Sequence, residues 1–218
     1  MLGDELVIEA VHTERAREII EVLRERFEDE EKLVMTIAGE SGSGKSELAA
    51  EIARINEEEG VPTGILQQDD YFVFPPKTNH EMRKKNIDQV GSYEVKLDFL
   101  DSNLRSFKNG TDSIYKPLVD YDADQINTEV KKVGEFEWLI AEGTYTTALE
   151  FADFRIFIDR NYEQTYEDRK ERGRDKLEPF VEDVLKREHE IISSHKSRAD
   201  LIITSDYQGI EIVNSSGA

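Results

Sequence analysis

Short runs that are apolar at nearly every position alternate with longer segments whose apolar residues recur every three or four positions. The runs read as buried strands and the periodic segments as helices. Leu33 to Ala38, in "KLVMTIAG", is an apolar run ending in glycine. "SELAAEIARINEEEG" follows as a helix, with Leu48, Ile52 and Ile55 on one side and Gly60 as its stop. "VPTGILQQDDYF" is a second buried strand that runs into polar residues, and "FEWLIAEG", "FRIFIDR" and "DLIITSD" continue the series, with "GIEIVN" as a last strand.

Before the first strand, Ile19, Ile20, Leu23 and Phe27 form one helical stripe, with Thr13 placed to cap it. "PPKTNHEMRKKNIDQVGSYEV" has two prolines and mixed charge and reads as loop. "KLDFLDSNLRSFKNG" puts Leu97, Leu100 and Leu104 in helical register. "DSIYKPLVDY" and "TEVKKV" alternate weakly, as strands do. The stretch from Tyr162 to Ala199 is mostly helical and is broken near Gly173 and Pro179. Strands alternating with helices predict an α/β fold around a mainly parallel sheet.

Composition narrows this picture. A chain of 218 residues with 38% apolar content suits one α/β domain with an appendage. We assign residues 1–31 to an N-terminal helical extension and 32–218 to the main domain. No apolar run approaches the roughly 18 residues that span a bilayer, and "MLGDELVIEA" lacks the layout of a signal peptide. There is no cysteine, which excludes disulfides and thiolate metal sites. The expectation is a soluble cytoplasmic protein with no membrane partner. A net charge of −20 argues against a broad nucleic-acid surface, yet leaves room for a small phosphorylated ligand held by a few cations and backbone N–H groups.

Candidate chemistry begins at Gly39-Glu-Ser-Gly-Ser-Gly44-Lys45-Ser46, the phosphate-loop pattern. Glycine suits the positions where backbone N–H groups must turn inward to phosphate oxygens. Lys45 supplies positive charge to the outer phosphates, and Ser46 offers a hydroxyl to Mg²⁺. Gly39, Ser41, Gly42, Ser43, Gly44, Lys45, Ser46 and Glu47 are thus the expected nucleotide-binding residues. Two acids stand where open α/β sheets bind ligands, at strand ends. Asp69, beside Asp70, can hold Mg²⁺ or accept a proton from an attacking hydroxyl. Glu142 is the expected second metal-holding carboxylate. Arg169, Arg172 and Arg174 surround Gly173, as arginines that close over a transferring phosphoryl group would.

Together these motifs resemble the uridine kinase and phosphoribulokinase family of P-loop kinases. The matching stretches are "GESGSGKSE", "QQDDYF", "KNIDQV", "KPLVDYD", "LIAEGTY", "FRIFIDR", "ERGRD" and "ADLIIT", in the family's order. The resemblance implies a P-loop NTPase-type parallel sheet flanked by helices, with a small hairpin over the acceptor and a helical lid at about residues 162–196. It implies transfer of the γ-phosphoryl group of ATP, with Mg²⁺, to a small-molecule alcohol. On this resemblance Asp69 is the catalytic base and Asp88 holds the ribose hydroxyls of a nucleoside. Glu142 stands near Mg²⁺, and Arg172 and Arg174 are lid arginines. Tyr71 or Phe72, with Tyr121, lines the acceptor site, and Arg169 stands in for a lid arginine that is Glu167 in an ungapped match. Gln89-Val90 replaces the family's His-Pro, and "VDYDADQI" lacks its histidine.

Three readings stay open at this point. One is a kinase for a nucleoside such as uridine or cytidine. Another is a sugar-phosphate or polyol kinase, with Arg83, Lys84 and Lys85 as candidates for an acceptor phosphate. The third is a non-catalytic nucleotide-regulated protein that self-associates through residues 1–30. The four histidines, at 12, 80, 189 and 195, share no ligand spacing and read as surface residues.

Overall fold

The runs that are apolar at every position have become the strands that are buried on both faces. The computed structural model describes residues 6–172 and 179–213. The strands are β1 (Leu33–Gly39), β2 (Thr63–Gln67), β3 (Ser113–Asp120), β4 (Gln125–Lys132), β5 (Trp138–Glu142), β6 (Phe154–Ile158), β7 (Leu201–Ile203) and β8 (Ile210–Ile212). The helices are α1 (Ala10–Arg26), α2 (Lys45–Glu58), α3 (Pro76–Lys85), α4 (Leu97–Lys108), α5 (Tyr166–Arg172) and α6 (Pro179–Ile192).

The main sheet runs β2-β5-β1-β6-β7-β8, with the first five parallel and β8 antiparallel at the edge. Every residue of β1 and β5 is buried. Side chains alternate between the two faces along β1. Leu33, Met35 and Ile37 meet Ile19 and Leu23 of α1 and Ile52 of α2 on one face. Val34 and Ala38 meet Leu100 and Phe107 of α4 on the other. Registers Ile37↔Glu142 and Gln67↔Glu142 bring the C-terminal ends of β1, β2 and β5 to one edge. The site is built there.

α1 is part of this core. Ala16, Ile19, Ile20 and Leu23 are buried. Thr13 Oγ1 donates 2.7 Å to Glu51 of α2, and Arg24 bonds Asn56 and Glu59. Thr13 is therefore inside the helix and not its cap. Glu9 precedes the first turn, and its N–H donates to His12 Nδ1 at 3.0 Å.

The loop expected after Phe74 is also corrected, since it contains α3. Pro76 opens that helix, where a missing N–H costs nothing. Asp124, in the turn between β3 and β4, accepts from Lys77 N at 2.7 Å and Thr78 Oγ1 at 2.9 Å. β3 and β4 form a separate antiparallel hairpin. Among the described residues no helix is long and apolar enough to cross a membrane.

Candidate active site

β1 delivers the chain to Gly39, and α2 begins at Lys45, so residues 40–44 form a loop between a buried strand end and a helix N-terminus. That is where backbone N–H groups and the helix dipole favour an anion. Gly42 has φ +75° and Gly44 φ +97°, both in the left-handed region. A Cβ on Gly42 would also stand 2.7 Å from Arg169 Cγ. Lys45 Nζ donates to the Glu40 carbonyl at 2.8 Å, which holds the ammonium at the loop's mouth. Ser43 is fully buried, and Glu47 is buried in the first turn of α2.

Beside the loop lies a cleft of about 280 Å³. Its donor-side wall presents Lys45, Ser46, Asp69 and Glu142. Ser46 Oγ donates to Glu142 Oε1 at 3.1 Å. Burial, and then the Asp69 charge, push the Glu142 carboxyl up to about 7, against the pull of Lys45 and Ser46. Asp69 is open to the cleft. The protein surrounding the cleft still raises its carboxyl, and Lys45 opposes that rise. The neighbouring Asp70 turns the other way. It accepts from Lys116 Nζ at 2.8 Å and from Val119 N at 3.0 Å, both on the hairpin.

Ser46, Glu142 and Asp69 are hard oxygen donors, the chemistry that suits Mg²⁺. The raised carboxyl of Glu142 is the penalty that a dication would relieve. Among the described residues no cluster of three acids or histidines stands ready to hold a metal alone. This fits Mg²⁺ carried jointly by one or two carboxylates and substrate phosphates.

The far wall of the cleft carries Phe72, Phe74 and Tyr121, with Asn79, Arg83 and Glu188 as polar members. Arg83 donates to both oxygens of Glu94 at 2.6 Å and reaches Glu188 at 3.2 Å. Burial pushes the Glu188 carboxyl up, and Arg83 opposes this. Tyr71 is not at this wall. It is fully buried, and its hydroxyl accepts from Asn103 at 2.8 Å, so it belongs to the core. Asp88 stands apart from the cleft, with its side chain 76% exposed and 4.0 Å from Arg187. Lys84 and Lys85 are exposed and also lie outside it.

α5 and α6 pack over the loop. Arg169 is buried on Gly42, donates to Tyr162 O at 3.0 Å and pairs with Glu182. Thr165 Oγ1 donates to Ser41 O at 2.8 Å. Glu40 accepts from Tyr162 N and from His189 Nδ1, each at 2.6 Å. Arg172 closes α5, but its side chain lies outside the described residues, as does Arg174.

Sequence reasoning missed Glu188, Asn79, Phe74 and the double bond to Glu40. Glu188 had a visible signal. It falls on the stripe of Val184, Leu185 and Ile192, where a carboxylate is out of place unless it faces a partner or a cleft. The histidines are corrected too. His12 and His195 are buried, and His195 Nδ1 lies 3.0 Å from Thr147 Oγ1.

A phosphate loop at the head of a parallel sheet, facing a cleft with a lysine, a seryl hydroxyl and two carboxylates, is the architecture of a P-loop kinase. Residues 34–208 match the family model described as phosphoribulokinase / uridine kinase, and the chain belongs to that family. It is 28% identical over 191 residues to a bifunctional alpha-galactosidase/sucrose kinase of Mediterraneibacter gnavus, a match over 81% of this chain but only 20% of that protein. It is also 28% identical over 184 residues to a uridine kinase of Leuconostoc citreum, covering 78% of this chain and 86% of the relative. A possible uridine kinase from Bacillus stearothermophilus has the same fold, with a TM-score of 0.61 at 18% identity over 86% of this chain and 98% of that one.

Proposed function

We propose that the protein transfers the γ-phosphoryl group of Mg-ATP to a hydroxyl of a small uncharged alcohol, with the nucleosides uridine and cytidine as first candidates. The observation that carries this reading is that Asp69, Lys45 and the Ser46–Glu142 pair face one cleft, opposite an aromatic and polar wall. In the reaction the acceptor oxygen attacks the γ-phosphorus as its proton passes to Asp69. The bond from that phosphorus to the β–γ bridging oxygen breaks, and ADP leaves with the electron pair. Lys45 offsets charge on the phosphoryl oxygens. Ser46 and Glu142 would hold Mg²⁺, which supplies further charge neutralisation.

The acceptor half supports an uncharged substrate. Arg83 is engaged by Glu94 on two bonds and by Glu188 on a third. One guanidinium set against two carboxylates offers poor welcome to an acceptor phosphate. Phe72, Phe74 and Tyr121 offer ring surface to a nucleobase. The position of Asp88 outside the cleft favours a second reading, a neutral sugar acceptor, because it removes the expected ribose contact.

The test is ADP release with Mg-ATP against nucleosides, neutral sugars and their monophosphates. Turnover with uridine or cytidine is expected. Turnover only with neutral sugars would replace the substrate, and turnover only with phosphorylated acceptors would overturn the charge argument. ATP binding without turnover on any alcohol would favour the nucleotide-regulated binding protein.

A further inference from the structure

The phosphate loop has open space on both sides. The cleft described above touches Ser41, Gly42 and Lys45. A second cavity, of about 240 Å³, meets the same loop at Gly42 and Gly44. Its walls come from three places: Val7, Val11 and His12 at the start of α1, Arg160 after β6, and Asp206 and Tyr207 after β7.

These walls are built. Tyr207 has φ +59°, unusual for a tyrosine, and its hydroxyl donates to Ser43 O in the loop at 2.9 Å. Asp206 ties its own turn through Thr204 Oγ1 at 2.6 Å and Gln208 N at 3.0 Å. The rings of His12 and Tyr207 meet edge to face at 5.4 Å, and the Arg160 guanidinium lies 5.8 Å from the Tyr207 ring. Valines, rings and a planar cation are surfaces on which a flat base stacks. Ser205, Asp206 and Glu9 add polar groups for hydroxyl or amino contacts.

We propose that this second cavity holds the nucleoside half of the phosphoryl donor, and that the opening turn of α1 is one of its walls. The inference rests on the kinase reading above. An outer phosphate at Lys45 and Asp69 directs the chain of phosphates back across Gly42, and the cavity beyond Gly42 and Gly44 is where a nucleoside then emerges. α1 precedes residue 34, where the family match begins, so this wall is the chain's own addition. Its role is to make nucleotide affinity depend on a helix outside the matched region.

The experiment uses the full chain and compares ATP with inorganic tripolyphosphate, which has the phosphates but no nucleoside. Binding of each is measured by calorimetry for wild type, Val11→Asp and Val7→Asp, with Tm as a folding control. Val7 is 59% exposed, so its substitution leaves the core untouched if Val11→Asp fails to fold. Both variants should weaken ATP by about tenfold, while tripolyphosphate affinity stays at the wild-type level. Unchanged ATP affinity in Val7→Asp and in any folded Val11→Asp would overturn the proposal. So would equal weakening of both ligands, which places the effect on the loop and not on a base wall. A wild-type protein that binds neither ligand would instead bring down the kinase reading and this one with it.

Discussion

Lys116 and Asp70 meet at 2.8 Å with side chains only 4% and 3% exposed. Glu129 adds a second carboxylate 2.9 Å from the same ammonium. This pair fixes which of two consecutive aspartates is structural. Asp70 anchors the β3–β4 hairpin, and that anchoring leaves Asp69 facing the cleft. Removing one partner of a buried ion pair strands the other charge. Lys116→Ala should therefore cost about 3–5 kcal/mol of stability, read from denaturant unfolding. A loss below about 1 kcal/mol would mean that Asp70 reaches water.

The two aspartates should separate in kinetics. Asp69→Asn should cut turnover by about 10²–10⁴-fold and leave ATP binding near wild type, because it removes a proton acceptor and not a phosphate contact. Lys45→Ala should also lose most turnover, because the transferring phosphoryl group loses its nearest cation. Normal turnover in Asp69→Asn would move the base elsewhere.

Glu142 sets a pH dependence. Its folded pKa of about 7 lies above the ordinary 4.5, so from 4.5 to about 7 the folded chain keeps a proton that the unfolded chain has released. That contribution favours the fold at low pH and is lost as pH rises through about 7. Glu142→Gln should remove this fall and be more stable than wild type at pH 8, with little difference near pH 4.5. The gain is roughly 2–4 °C in Tm per kcal/mol relieved. Phosphoryl transfer should drop in the same variant, since the metal-facing carboxylate is gone. Equal Tm values at pH 8 would contradict a raised Glu142.

Gly42→Ala tests the loop itself. The residue has φ +75°, and a Cβ would stand 2.7 Å from Arg169 Cγ and 3.2 Å from Thr165 Cβ. The change should weaken ATP and tripolyphosphate together, by about tenfold or more. Titrations of both ligands check this, and wild-type affinity would show that the loop and α5 move apart easily.

The strands and the phosphate loop were legible because their signals are local. An apolar run, a glycine spacing and a following helical stripe lie within about twenty residues of one another. What stayed hidden depends on contacts far along the chain. α3 has no apolar stripe, since its one buried residue is Asn79, and its first turn is bonded by Asp124, 47 residues beyond Lys77. Nothing near Asp69-Asp70 reveals which residue faces inward, because the deciding Lys116 lies 46 residues on. Tyr71 looked like a cleft aromatic because its neighbour Phe72 is one. A short helical turn sends adjacent side chains in different directions, and Asn103 of α4 satisfies the buried hydroxyl. Asp88 was matched by motif order alone, which cannot say that its side chain points to solvent.

Glu40 has a consequence for timing. One carboxylate holds the backbone just before α5 and the His189 ring of α6, while the carbonyl of the same residue takes Lys45. Neither helix can travel away from the loop without breaking a bond to this anion. Once one bond breaks, water reaches the carboxylate and weakens the other. The two helices thus share a single latch, and their departure from the loop is one cooperative event. The barrier to letting a spent nucleotide go is then set in part by a side chain that takes no part in the chemistry.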